Sequence, residues 1–344
     1  MRAWVIRAGR SGEREEWALA NGVAGGGFRE IGDLSPYVTK DQLGEAVSEA
    51  YPGKSKAFVS NFTGQLWSLR KRIEVGDLVV MPMKTTGMLA IGSITGEYEY
   101  RDDPEGNARH VRTVQWVRSD VPRSAVGQDL LFTLNGAATV FGCERNNALA
   151  RLIALRDSGK DPGFSTIGAQ PSALGEVEPG TFDLEQSARD AIISAVITRF
   201  AGHGLARVTA EILQAQGFTC TVSPPGPDGG VDVFAGRGPL GLDSPRIVVQ
   251  VKSDAAPVGA PVVQQLQGAL ATHHADQGLL VAWGGVSKPA RQALAGQHFR
   301  VRVWDAQALV AALCDSYSQL SDELRAELPL KQVWTIVQDE ETTE

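Results

Sequence analysis

The order of apolar and polar positions divides the chain into two stretches with different periods. In the first, apolar residues come in short runs. Ala3 to Arg7 alternates as a strand does, Gly76-Asp77 makes a turn before the run Leu78-Val79-Val80, and Leu89 to Thr95 and Val111 to Val117 are further strands. Thr39 is placed to cap a helix reaching Ala50, and Gly64 to Arg72 has helical spacing. Short strands at this density predict a small barrel or a strongly curved sheet.

The second stretch changes period. Glu185 to Phe200 and Leu205 to Gln216 read as helices, the latter stopped by Gly217. Strands follow at Phe218 to Val222, Val231 to Phe234 and Ile247 to Lys252. Then come a helix at Pro261 to Thr272, a strand at Gly278 to Trp283, a helix at Lys288 to Ala295, a strand at Arg300 to Trp304 and a helix at Ala306 to Leu313. This order predicts an α/β sheet flanked by helices. The segment from Leu320 to Val337 is expected to pack back on one of the domains.

Between the two stretches, Pro162, Pro171 and Pro179 stand among several glycines without any period, as in a linker. The expected division is therefore a domain over 1–156, a linker over 157–182 and a second domain over 183–344. The chain has 344 residues, enough for two domains, and 43% are hydrophobic, enough for packed cores. No apolar run reaches the ~18 residues that a membrane span needs, and Met1 to Arg10 lacks the apolar stretch of a signal peptide. Cys143, Cys220 and Cys314 are far apart and odd in number, which fits buried thiols in a reducing cytoplasm and argues against a disulfide framework or a cysteine zinc site.

The net charge of -7 is unevenly spread. Residues 1–160 hold 21 Lys and Arg against 19 Asp and Glu, whereas 161–344 hold 12 against 21. The acidic second half needs a metal ion or a local basic patch to approach phosphates.

The most informative segment runs from Pro224 to Lys252. A glycine-rich bend, Gly226-Pro227-Asp228-Gly229-Gly230, delivers Asp232 to the start of an apolar strand, and the next strand ends Gln250-Val251-Lys252. Residues two apart on a strand share a face, so Gln250 and Lys252 project together, and pairing of the strands brings Asp232 to them. That trio suits phosphodiester hydrolysis. The carboxylate, with the Gln250 amide oxygen and the Val251 carbonyl, offers hard ligands to Mg2+ or Mn2+. Lys252 orients water or meets developing charge. Taken singly, Asp228-Gly229-Gly230 is a hairpin turn and Lys252 a strand-end lysine; a glutamine inside a buried strand has no such apolar explanation. A phosphate-cradling reading of the bend fails, because no Gly-Lys-Ser/Thr follows and no helix opens there.

Gly-Gly-Val-Asp followed by Gln-x-Lys on the next strand resembles the Mrr branch of the PD-(D/E)xK restriction endonuclease superfamily, over about residues 185–313. The resemblance implies a catalytic core of Asp232, Gln250 and Lys252. It also implies a glutamate early in the preceding helix, and here that position falls at about Ala206. His203, which shares its face, and Glu211 are the candidate substitutes. The bland readings are a helix-end histidine and a solvated glutamate.

In the first half, aromatic residues are interleaved with Arg70-Lys71-Arg72, Lys84, Arg109 and Arg112. Trp4-Val5-Ile6-Arg7, Gly76 to Val80 and Arg112 to Trp116 together resemble the PUA-like, EVE-type β-barrel, over about residues 1–150. That resemblance implies capture of a modified base by aromatic stacking. Phe28, Tyr37 and Trp67, beside Asn61, Thr63 and Gln65, are the pocket candidates, and Arg70 and Arg72 the phosphate contacts; each also reads as core or as a solvated helix face. The combined expectation is a cytoplasmic, modification-dependent (type IV-like) restriction endonuclease acting on double-stranded DNA, with no membrane attachment. Cutting both strands needs two sites, hence a homodimer or a DNA-induced assembly. The alternative is a reader of modified nucleic acid on a nuclease fold that no longer cuts.

Overall fold

A computed structural model describes residues 1–101, 109–163, 183–224 and 230–334. Two compact units, Met1–Ser187 and Ala188–Glu344, make up the chain. Of the expected linker, residues 164–182 lie outside the described residues.

In the first unit, β1 (Ala3–Ile6), β2 (Val23–Gly26), β3 (Leu78–Pro82), β4 (Met88–Tyr100), β5 (His110–Pro122) and β6 (Val140–Gly142) form one mixed sheet in the order β2-β5-β4-β3-β1-β6. β1 and β3 are parallel, and the other neighbours are antiparallel. Helices α1 (Glu15–Ala20), α2 (Lys40–Ala50), α3 (Lys56–Trp67), α4 (Gln128–Leu134) and α5 (Ala148–Ser158) surround it. Every β1 residue is buried because both faces of that strand are covered. Ala3 and Val5 pack with Leu130, Leu134, Leu152 and Leu155, whereas Trp4 and Ile6 pack with Leu69, Ile73 and Val114. The Trp4 indole donates to Asp77 Oδ2 at 2.9 Å, which ties the turn before β3 to β1.

The expected barrel is not what forms. β2 and β6 end the sheet, and among the described residues no ladder joins them. Register shifts between β4 and β5, at Leu89/Ile91, Ile91/Gly92 and Ile94/Tyr98, bend these two long strands. Strand runs that read as barrel staves thus belong to an open mixed sheet. The helix expected over Gly64 to Arg72 is the end of a longer one. α3 begins at Lys56, where the Ser55 hydroxyl accepts from the Phe58 N–H at 3.2 Å, and a π-helical turn over Ser68–Arg72 follows it. Phe58 and Val59 are weak helix formers, which hides that start.

Two buried arginines are structural. Arg112 donates to the carbonyls of Leu69 at 2.7 Å and Arg70 at 2.8 Å, closing the π-helical turn. Arg151, 0% exposed, pairs with Asp129 at 2.5 Å and with Asp161 at 2.6 Å; Asp161 is 4% exposed and also accepts from the Gly127 N–H. Residue 161 is thereby fixed to α4 and α5. At the far side of the undescribed segment, Asp183 accepts from the Gln186 N–H and from Arg7 Nη1, capping the next helix.

In the second unit, β7 (Thr219–Val222), β8 (Val233–Arg237), β9 (Asp243–Lys252), β10 (Gln277–Ala282) and β11 (Val301–Trp304) form a mixed sheet in the order β11-β10-β9-β8-β7. β9, β10 and β11 are parallel to one another, while β7, β8 and β9 run antiparallel. One face packs on α6 (Leu184–Phe200), α7 (His203–Ala215), α10 (Ala306–Ser316) and α11 (Asp322–Glu327) through Val196, Leu205, Val249, Val281, Leu309 and Leu324. The other packs on α8 (Ala260–Thr272) and α9 (Lys288–Leu294) through Val248, Val263, Leu266, Leu280 and Ala290. This is the flanked α/β sheet that the period change predicts. The tail folds onto this second core through Leu320, Leu324 and Leu328. Of the cysteines expected to be buried thiols, only Cys143 is buried; Cys220 is half-buried and Cys314 exposed.

Candidate active site

Alternation along β9 sends Val249 and Val251 to the α7 face, and Val248, Gln250 and Lys252 to the α8 face. Val233 of β8 pairs with Val249, so Asp232, one residue before β8, comes level with Gln250. Its backbone is held on both sides: the Asp232 N–H donates to the Val249 carbonyl at 2.8 Å, and the Ser223 N–H donates to the Asp232 carbonyl at 2.9 Å. Asp232 Oδ2 accepts from the Val251 N–H at 2.7 Å, which sets the carboxylate against the end of β9. Of the bend before it, residues 225–229 lie outside the described residues.

Gln250 is 0% exposed. Its Nε2 donates to Gln265 Oε1 on α8 at 2.9 Å, while its own Oε1 is buried with no hydrogen-bond partner. Lys252 is half-buried at the last position of β9, and its ammonium forms no ion pair among the described residues. Ser253 follows and accepts from the Gly202 N–H at 3.1 Å, so the start of α7 meets the exit of β9. His203 opens α7 there and is exposed. Ala206, where an acid was expected, is buried in the core. Glu211 is occupied elsewhere: its Oε2 accepts from the Ser321 N–H at 3.2 Å and the Ser321 hydroxyl at 2.6 Å, at the start of α11. Asp232, Gln250 and the Val251 backbone therefore meet, Lys252 shares their strand end, and His203 stands beside its exit. Gln265 was not singled out in the sequence; on a helix of mixed polar and small residues, nothing marks it.

Among the described residues, no cluster of three or more His, Cys, Asp or Glu side chains is close enough to hold an ion. The donors described at the β9 end are the Asp232 carboxylate and the neutral oxygens of Gln250 and Val251.

The first-unit candidates fall around the core of α2 and α3. Phe28 is 3% exposed and meets Phe62 edge-on at 5.4 Å, so it is enclosed. Tyr37 and Trp67 are half-buried against the same core. Gln65, one of the polar residues beside the candidates, is buried, and its Oε1 accepts from the Val140 N–H at 3.0 Å. Arg70 Nη2 donates to the Ser35 carbonyl at 2.6 Å, and its Nη1 is buried without a partner. Arg72 is exposed and lies 5.4 Å over the Trp4 ring.

A buried imidazole adjoins this core. The Ile31 carbonyl, 3.2 Å from His110 Nε2, requires a proton there, so Nδ1 of the neutral ring accepts from the Tyr98 hydroxyl at 2.9 Å; the hydroxyl oxygen also accepts from the Leu34 N–H. Burial pushes the His110 pKa down to about 4, although the Ile31 and Phe28 backbone contacts oppose that shift. A depressed value means that a stabilising contribution present above the ordinary histidine pKa of about 6.5 is lost as pH falls towards 4. An NMR titration should find the His110 ring neutral at pH 5.5; a protonated ring at that pH contradicts the assignment.

Residues 197–313 match Mrr_cat, a restriction endonuclease family, and residues 4–133 match DUF8426, a domain of unknown function. The second unit thus carries a restriction endonuclease domain, and the matched segment contains every residue of the β9 site. The first unit's match, to a domain of unknown function, does not carry the PUA-like resemblance further. Three solved structures are similar at low identity. AF1548, a protein of unknown function, has a TM-score of 0.27 and 15% identity over 37% of this chain and 78% of its own. The DNA modification-dependent restriction endonuclease AspBHI has 0.33 and 14%, over 81% and 76%. The MspJI restriction endonuclease, in complex with a 27-mer oligonucleotide, has 0.32 and 16%, over 81% and 71%. No curated protein matches the chain in sequence. No helix among the described residues is long and apolar enough to cross a membrane.

Proposed function

We propose that the protein is a modification-dependent, type IV-like restriction endonuclease that hydrolyses double-stranded DNA with Mg2+ or Mn2+. The observation that carries this reading is the buried, unpartnered amide oxygen of Gln250, the residue level with Asp232 across the strand pair. An unpaired buried acceptor costs about 1–3 kcal/mol, which a cation at that oxygen would relieve. The donors fit a hard cation: the Asp232 carboxylate, the Gln250 amide oxygen and the Val251 carbonyl. In a strand the N–H and C=O of one residue point the same way, so Val251, whose N–H meets Asp232, turns its carbonyl to that side. When bound, such an ion polarises a phosphoryl oxygen and makes a coordinated water more acidic.

The chain's own groups supply the rest. Lys252 brings an ammonium unpaired with any described carboxylate, able to orient water and to meet charge developing on the phosphate. His203 stands where the acid of the preceding helix is missing, and its imidazole can hold a water or accept a proton. The first unit selects the DNA as a PUA-like reader. Tyr37 and Trp67 keep part of their surface open for a base, Arg70 retains an unused donor, and Phe28 backs them from within. Two sites are needed for two strands, so the acting form is a homodimer.

A non-cleaving reader of modified nucleic acid is the second reading. It is favoured by the buried Ala206 at the acid's position and by the commitment of Glu211 to Ser321. The deciding experiment is digestion of matched duplexes, unmodified, methylated, hydroxymethylated or phosphorothioated, by the full-length protein with Mg2+ and with Mn2+. Cleavage restricted to one modified duplex and abolished by chelator is expected. Equal cutting of all duplexes would remove the reader role, and binding without cutting under both metals would establish the second reading.

A further inference from the structure

We propose that Gln265 is a positioning residue that fixes which end of the Gln250 amide faces the metal site; the inference rests on the metal reading above. A primary amide has nearly the same shape at both ends, but one end accepts hydrogen bonds and the other only donates. As a ligand it works in one orientation and repels a cation in the other. On that face Val248 and Leu280 are apolar and offer the amide no hydrogen bond, while Asp232 and Lys252 lie towards the strand end. The choice is made from α8. Gln265 Oε1 accepts from Gln250 Nε2 at 2.9 Å, and that bond commits the nitrogen to the helix and leaves the oxygen unpartnered.

Two further observations agree. Gln265 lies on the exposed side of α8, whose buried positions are Val263, Leu266, Ala269 and Leu270, so its amide is not required for packing. The backbone before Asp232 also closes over the pair. A Cβ on Gly230 would stand 2.4 Å from Gln265 Nε2 and 3.2 Å from Gln250 Nε2, and Gly230 has φ +88°, a conformation that other residues rarely adopt. The backbone at Gly230 thus lies close against the two amides. A glutamate at position 250 would present oxygen either way round and would need no such partner. The glutamine does, and α8 provides it.

Binding of Mn2+ to the full-length protein without DNA, read from the EPR signal of the free ion, tests this apart from turnover. Gln265→Leu is expected to weaken Mn2+ binding about 10-fold or more, the usual scale for loss of an orienting partner of a ligand. Gln265→Glu keeps the acceptor for Gln250 Nε2 and should bind at least as well as the wild type. In a Gln250→Glu background, Gln265→Leu should have no effect. Wild-type affinity in Gln265→Leu overturns the proposal, and so does an equal loss in the Gln250→Glu background, which would make the effect one of α8 structure. Undiminished binding in Asp232→Ala would instead sink the metal reading itself, and so distinguishes the two failures.

Discussion

Replacing Asp232 with asparagine is expected to lower DNA cleavage about 1000-fold or more while the protein remains folded. The amide oxygen can still accept from the Val251 N–H, the 2.7 Å bond that sets this side chain against β9. What disappears is the charge that a cation at this site would need. Lys252→Ala should lose activity on a similar scale, because it removes the ammonium at the end of β9. Nicking of supercoiled plasmid under single-turnover conditions measures both, with melting temperature as the control for folding. Activity within tenfold of wild type in either variant removes that residue from the chemistry.

The largest effect on stability is expected in the first unit. Arg151→Ala leaves Asp161, 4% exposed, with its charge buried and its main partner gone. Breaking such a pair typically costs about 3–5 kcal/mol. The pH dependence supplies a second readout. The Arg151 hydrogen bond, helped by its charge, holds the Asp129 carboxyl below the ordinary carboxylate range despite some burial. For Asp161, burial alone would raise the pKa, but the Arg151 and Gly127 donors outweigh it and hold it low as well. Depressed carboxylates contribute stability that is present above the unfolded value of about 4 and is lost as pH falls through the folded value. Calorimetric scans between pH 7 and 3 should therefore show a lower first-unit transition in Arg151→Ala, with a shallower acid slope than wild type. Parallel slopes would show that the network does not carry the acid sensitivity.

The second unit was largely legible from its sequence because its signals are local. Helix and strand periods alternate there, Gly217 stops α7, and the spacing of Gln250 and Lys252 fixes their shared face without knowledge of any other element. What connects Gln250 to Gln265 could not be read, since it depends on how closely α8 crosses the sheet. The fate of Glu211 was hidden for the same reason: its partner, Ser321, is a tail residue brought back by the fold. In the first unit the errors came from coverage. Continuous apolar runs such as β3 fit a barrel stave and a strand buried on both faces equally well, and only the strand order distinguishes the two. Arg112, one of the basic residues interleaved with the aromatics, holds a helical turn from within the core, a role that its sequence neighbours do not reveal.

The leucines at 320, 324 and 328 place a limit on how the enzyme can be shortened. The segment that matches Mrr_cat stops at residue 313, but these three side chains plug the hydrophobic floor beneath α7 and α10. Each contributes about 1.5–3 kcal/mol by its burial. Arg207 clips Glu327 from outside at 2.6 Å, and the Tyr317 hydroxyl donates to the Leu328 carbonyl at 2.8 Å. A minimal nuclease trimmed to the family boundary would expose a greasy trough and clump, so a workable catalytic fragment has to run on through residue 330.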